Sequence, residues 1–225
     1  MLRFLRQALV IAGKDLTLEL RTRERIASML TFSVLVAVVF SFALDPTLPA
    51  RDVGGAMIWL TLIFAGLLAV GRAFGLEKEQ DALVGLLLTP IDRGALYLGK
   101  LLANLVLILV TGAMVLGVYA LFFSLPLAQG LGGIVAVMLL ASVGFMALGT
   151  LVGAMAASTR LGDTLIPILL LPLLIPVIVY AASATQRLLV GRPADEVMGN
   201  LKMLLAFDVV FLVVCTLVFP SVVEE

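Results

Sequence analysis

Apolar runs without a single charge dominate the pattern along the chain. Ile26–Leu44 is 19 residues long between Arg25 and Asp45, and Val53–Gly71 is another 19 between Asp52 and Arg72. From Leu101 to Thr159, 59 residues pass without a charge, too many for one helix. The segment Ser124–Gly130 contains Pro126 and Gly130, residue types that punctuate helices, and it divides this run into two. Thr164–Ala184 and about Leu201–Pro220 complete the series. A membrane span needs about 20 apolar residues, and a helix satisfies its own backbone hydrogen bonds inside lipid. The pattern therefore predicts an all-α membrane protein with six transmembrane helices, near 26–44, 53–71, 101–123, 131–157, 164–184 and 201–220.

The first 25 residues carry a different period. Leu2, Leu5, Leu9, Ala12, Leu16 and Leu20 recur every three or four positions, with Arg3, Arg6, Lys14, Asp15, Glu19 and Arg21 between them. This spacing is a helical stripe. Such a helix can lie along the membrane surface with its leucines in the acyl boundary, or pack on a soluble partner; either way it stands outside the six spans. A cleaved signal peptide fits less well, because the leader mixes both charge signs and its apolar run exceeds the usual length. Eleven Lys and Arg residues fall on the side of the N-terminal segment, the 72–100 loop, the 158–163 loop and the C-terminal tail, against four on the other side. By the positive-inside rule both termini are expected in the cytoplasm.

Composition narrows the chemistry. Of 225 residues, 62% are hydrophobic and 13% charged, with 15 basic and 15 acidic side chains, no histidine and one cysteine, Cys215. Lacking histidine, the chain cannot build a Ser-His-Asp or Cys-His nucleophile, a histidine metal site or a histidine-ligated haem. One cysteine cannot form an internal disulfide. Zero net charge without a basic run argues against nucleic acid. No catalytic, cofactor-binding or metal site is expected in this chain.

The loop at 72–100 is the most informative polar segment. Glu77, Glu79 and Asp81 suit the N-terminal end of a short helix, whose positive pole they oppose. The stretch Leu83–Leu88, with Leu87, follows and stops near Pro90, which disfavours helix at Thr89. Asp92-Arg93-Gly94 makes a second polar turn, and Lys100 closes the loop. These residues describe either a surface that docks a soluble partner or a solvated loop beside lipid. Gly94…Gly99-Lys100 has the spacing of a phosphate-binding loop, but Leu101 stands where magnesium needs a hydroxyl, and Leu101 opens a span. No nucleotide site is expected here.

Inside the spans, Asp208 is the intramembrane acid, placed about seven residues into the sixth span at roughly 10 Å of depth. It reads as a snorkelling or helix-bonded carboxylate or as a pathway residue. Pro167, Pro172 and Pro176 are helix-kink candidates in the fifth span. Gly149, Gly153 and Ala157 form a small-residue stripe for close helix packing in the fourth.

Several of these pieces together carry a resemblance. Leu87-x-x-Pro90-x-x-Arg93…Gly99-Lys100 after a leader helix resembles the membrane subunits of ABC-2 type exporters. Lys14-Asp15, Gly55-Ala-Met-Ile-Trp59, Arg72-x-Phe74-x-x-Glu77 and Leu171-Pro-Leu-Leu-Ile-Pro176 resemble, more closely and in the same order, the haem exporter protein B (CcmB) family of cytochrome c maturation. The exporter pattern favours Gly-Thr and then an acid early in the loop, where this chain has Ala82-Leu83 and Gly85.

The resemblance implies an ABC-2 type permease architecture in a bacterial inner membrane. It implies a separate ATP-hydrolysing subunit, usually two copies of each and hence a homodimer, with 77–93 as the coupling helix seated in that ATPase. It further implies a haem-handling C subunit and a small D subunit as partners, with haem as substrate and ATP bound on the partner subunit. With no histidine, a haem route through this chain has to rely on Met, Tyr, Cys215 or hydrophobic fit. Two other readings stay open: an ABC-2 permease for a lipid, drug or glycan, and a membrane scaffold that assembles other subunits without transport.

Overall fold

The computed structural model describes residues 2–45, 47–79, 91–159 and 162–224. Among these residues the chain forms seven α-helices and two short 3-10 turns, with no strand. The helices are α1 (Leu2–Thr22), α2 (Glu24–Ala43), α3 (Gly54–Glu79), α4 (Arg93–Phe123), α5 (Leu127–Ser158), α6 (Gly162–Leu189) and α7 (Met198–Glu224). The six from α2 to α7 are long and apolar enough to cross a membrane, so the chain is a multi-pass helical membrane protein.

Local chemistry sets the corners. Arg23 takes a left-handed conformation, φ 57° and ψ 11°, and turns the chain from α1 into α2. After α2, Thr47 donates from both its backbone N and its Oγ1 to Asp45 Oδ1, at 2.8 and 2.7 Å. Ser124, also left-handed, ends α4, and Pro126 then starts α5. Gly191 at φ 80° turns the chain after α6.

α3 and α5 occupy the centre, while α2, α6 and α7 present most of their surface outward. α5 packs extensively on both α6 and α7, and α3 lies against α2, α4, α5 and α6. The apolar core falls into two clusters. One, at the α1 end, gathers Ile11, Met29, Tyr97, Met146, Leu170 and Phe219. The other, at the far end, gathers Trp59, Tyr119, Val137, Ala181 and Leu188, where Trp59 Nε1 donates to Thr185 Oγ1 at 2.9 Å. Large exposed side chains such as Phe42, Leu121 and Leu217 point outward, as a bilayer solvent permits.

Two helix ends differ from the boundaries expected at charged residues. α4 begins at Arg93, eight residues before Leu101, and α3 runs on to Glu79. Much of the 72–100 loop is therefore continuous with its flanking helices. The physical reason at α4 is a good N-cap and a helix packed alongside it, described next.

Candidate functional site

Asp92 is extended, and its Oδ1 accepts from the backbone N–H of Gly94 at 2.8 Å and of Ala95 at 3.4 Å. A capping carboxylate satisfies donors that a helix start leaves unpaired and also opposes the helix dipole. The predicted polar turn is thus the N-cap of α4, with Arg93 as the first helical residue. From this cap, α4 rises along α1. A Cβ added to Gly94 would lie 3.3 Å from the ring of Phe4. At Gly99 it would lie 2.7 Å from both the Ala8 carbonyl oxygen and Ile11 Cβ, so only glycine admits this approach of the two helices.

Polar contacts continue the seam. Lys100 is buried, with Nζ 3.5 Å from Asp15 Oδ2, and Lys14 reaches the other oxygen of Asp15 at 3.1 Å. One turn further on, Glu19 and Arg25 are both buried and pair at 2.6 Å. Glu19 Oε1 also accepts from the backbone N of Ile26 at 3.0 Å. Arg25 Nη1 donates to Asn104 Oδ1 at 3.2 Å, and Asn104 Nδ2 donates to Thr150 Oγ1 at 3.2 Å. One hydrogen-bonded chain therefore joins α1, α2, α4 and α5. Removing one partner of such a buried pair strands the other charge, at a cost of about 3–5 kcal/mol. The start of α4 and the length of α1 are thus interlocked into one piece.

The sequence-predicted residues distribute unevenly around this piece. Asp92, Arg93 and Lys100 belong to it. Glu77 and Glu79 stand in the final turn of α3, and Asp81, Leu87 and Pro90 lie outside the described residues, as does Gly85. Arg25, Asn104 and Thr150 escaped sequence reasoning. An asparagine inside an apolar run was the available signal for the second.

Asp208 sits elsewhere, on α7 against Gly144 of α5, where a Cβ on the glycine would come within 2.7 Å of Asp208 Oδ1. Because α7 already begins at Met198, Asp208 lies about ten residues and about 15 Å into its helix. That places it in the first half of α7. Its side chain is buried, and Oδ1 has no hydrogen-bond partner among the described residues.

Helix α6 continues through Pro167, Pro172 and Pro176. Gly149 and Gly153 are buried within the chain, and Gly149 faces Val70 of α3; Ala157 is half-buried. Cys215 is fully buried. Tyr97 Oη donates to the Ala147 carbonyl at 3.1 Å, and Tyr119 shares a 2.7 Å hydrogen bond with Thr61. No cluster of three or more metal-ligating side chains occurs among the described residues. An apolar cleft of about 500 Å³ opens between α2, α3 and α6, lined by Phe32, Phe64, Leu67, Gly71, Ile166 and Pro167 among others.

Known proteins resemble the chain over most of its length. Heme exporter protein B of Escherichia coli K12 is 29% identical over 203 residues, 85% of this chain and 87% of the relative. The protein of the same name from Bradyrhizobium diazoefficiens is 28% identical over 217 residues, covering 93% and 89%. That from Rhodobacter capsulatus is 28% identical over 179 residues, covering 79% and 81%. The family model described as CcmB protein matches residues 6–225, and this chain belongs to that family.

Proposed function

We propose that this chain is the permease subunit of an ABC-type complex in cytochrome c maturation. In this reading it couples ATP hydrolysis on a separate subunit to haem export or to release of a haem-loaded chaperone. The chain is not itself an enzyme. It sits in a bacterial inner membrane with both termini cytoplasmic, as a homodimer beside two ATPase copies, with the haem-handling C subunit and the small D subunit of the same system.

The observation that carries this reading is the anchorage of the start of α4. Force delivered to residues 77–93 arrives at Asp92 and Arg93. It passes into α4, whose base is bound to α1 through Gly99 and Lys100–Asp15 and to α5 through Asn104–Thr150. A load there moves several helices together instead of bending one loop. The names of the relatives support haem as cargo, and the apolar cleft beside Pro167 supports contact through hydrophobic fit without axial ligation.

Purifying the native complex and identifying what accompanies this chain tests the proposal. An ATPase and a haem-handling membrane protein are expected. Recovery with a lipid- or glycan-processing enzyme instead would support a permease for that substrate. Recovery with the haem-handling protein but no ATPase would support a scaffold. A tag at either terminus that reads as periplasmic would overturn the orientation.

A further inference from the structure

Helix α1 has three distinct faces, and one of them packs against the other helices. Ala8, Ile11, Ala12, Asp15 and Glu19 turn toward α4 and α2. Leu5, Leu9 and Leu20 form a second face, 49%, 64% and 66% exposed. Arg3, Arg6, Lys14 and Arg21 form a third, recurring on one helical side, and all four are exposed. Both acids of the helix belong to the inward face, Asp15 beside Lys100 and Lys14, and Glu19 on Arg25. With Glu19 buried and Asp15 half-buried toward α4, the outward side of α1 carries basic charge only. The predicted leucine stripe is therefore split, since Ala12 packs inward while Leu5, Leu9 and Leu20 stay uncovered.

We propose that this outward side of α1 is a binding surface for anionic phospholipid, with Arg3, Arg6 and Arg21 on the headgroup phosphates and Leu5, Leu9 and Leu20 in the acyl boundary. Two arguments choose lipid over a soluble protein. The leucine face adjoins the arginine face at both ends of the helix, matching a layer that is apolar on one side and anionic on the other. The helix also joins α2 directly at Arg23, so its end is fixed at the level where a span enters the bilayer. Anionic membrane surfaces attract basic side chains held near them, by about fivefold in affinity for each, and guanidinium suits phosphate in particular. The inference rests on the six spans and on the inward placement of Asp15 and Glu19. It does not depend on the transport reading.

The test uses the full-length protein in mixed micelles with equal phosphatidylglycerol and phosphatidylethanolamine, and counts the lipids retained by native mass spectrometry. Wild type is expected to retain the anionic lipid at least about fivefold over the zwitterionic one, with the preference falling as salt rises. The Arg3→Gln/Arg6→Gln/Arg21→Gln variant is expected to lose most of that preference at unchanged helicity. Arg192→Gln, beyond the far end of α6, is expected to keep it. Equal retention of both lipids by wild type would overturn the proposal. So would a preference that survives the triple substitution. Loss of a soluble partner in the triple variant, with lipid preference intact, would assign the face to that partner instead.

Discussion

Charge is buried in two places in this molecule, under opposite conditions. At the base of α4, Lys100, Asp15, Glu19 and Arg25 are packed against helices, and each faces an opposite charge or an amide. On α7, Asp208 is buried as deeply, yet one of its oxygens has no partner among the described residues. The first arrangement ties four helices together. Among the described residues, the second has only the Gly144 backbone of α5 beside it, and Oδ1 is left without a partner. Burial alone does not make a polar residue structural; the partners decide, and they separate a fixed joint from an uncommitted group.

The largest expected effect comes from breaking the joint. Arg25→Met leaves Glu19 buried without its partner and should lower stability by about 3–5 kcal/mol in denaturant unfolding followed by helicity. Replacing both residues, Glu19→Met/Arg25→Met, should recover most of the loss. If the double variant is as unstable as the single one, the pair is not acting as a unit.

Gly99→Val comes next. Its side chain would collide with the Ala8 carbonyl and Ile11, an overpacking worth about 1–3 kcal/mol. Faster proteolysis within α1 would report the displaced helix, while wild-type protection would show that the seam yields easily. Asp92→Ala removes the cap of α4 and should cost about 1 kcal/mol, read as a small drop in the unfolding midpoint.

Asp208→Asn should change least, under about 1 kcal/mol, because no paired charge is stranded. A loss as large as that of Arg25→Met would mean that Asp208 has a strong partner after all. The comparison between the two regions would then fail. Unchanged stability together with a lower cytochrome c yield would mark it as a pathway residue.

The same contrast explains what could be read from the sequence. Long apolar runs pointed to six spans, because lipid disfavours unpaired charge; five of the runs carry none, and the sixth carries Lys202 and Asp208. They set an edge at Lys100 but not the start of α4 itself, which lies seven residues earlier at Arg93. Asp15, 85 positions earlier in the chain, accompanies Lys100 into a buried site. Arg25 likewise looked like a boundary and is a buried member of the network. Periodicity found α1 but not which of its faces meets protein, since Ala8 and Ile11 pack on Gly99 only through a long-range contact. Asp208 stood out as an acid in an apolar run, but that it lies against Gly144 of α5 is a long-range contact that the run does not carry.

The central claim is that motion enters this chain at the cap of α4. Measuring ATP turnover by the partner ATPase in nanodiscs, with wild type and with Asp92→Ala/Arg93→Ala, tests it most directly. The account predicts that the variant still inserts and folds but stimulates turnover or retains the ATPase much less than wild type. Unchanged turnover together with unchanged ATPase binding would contradict it.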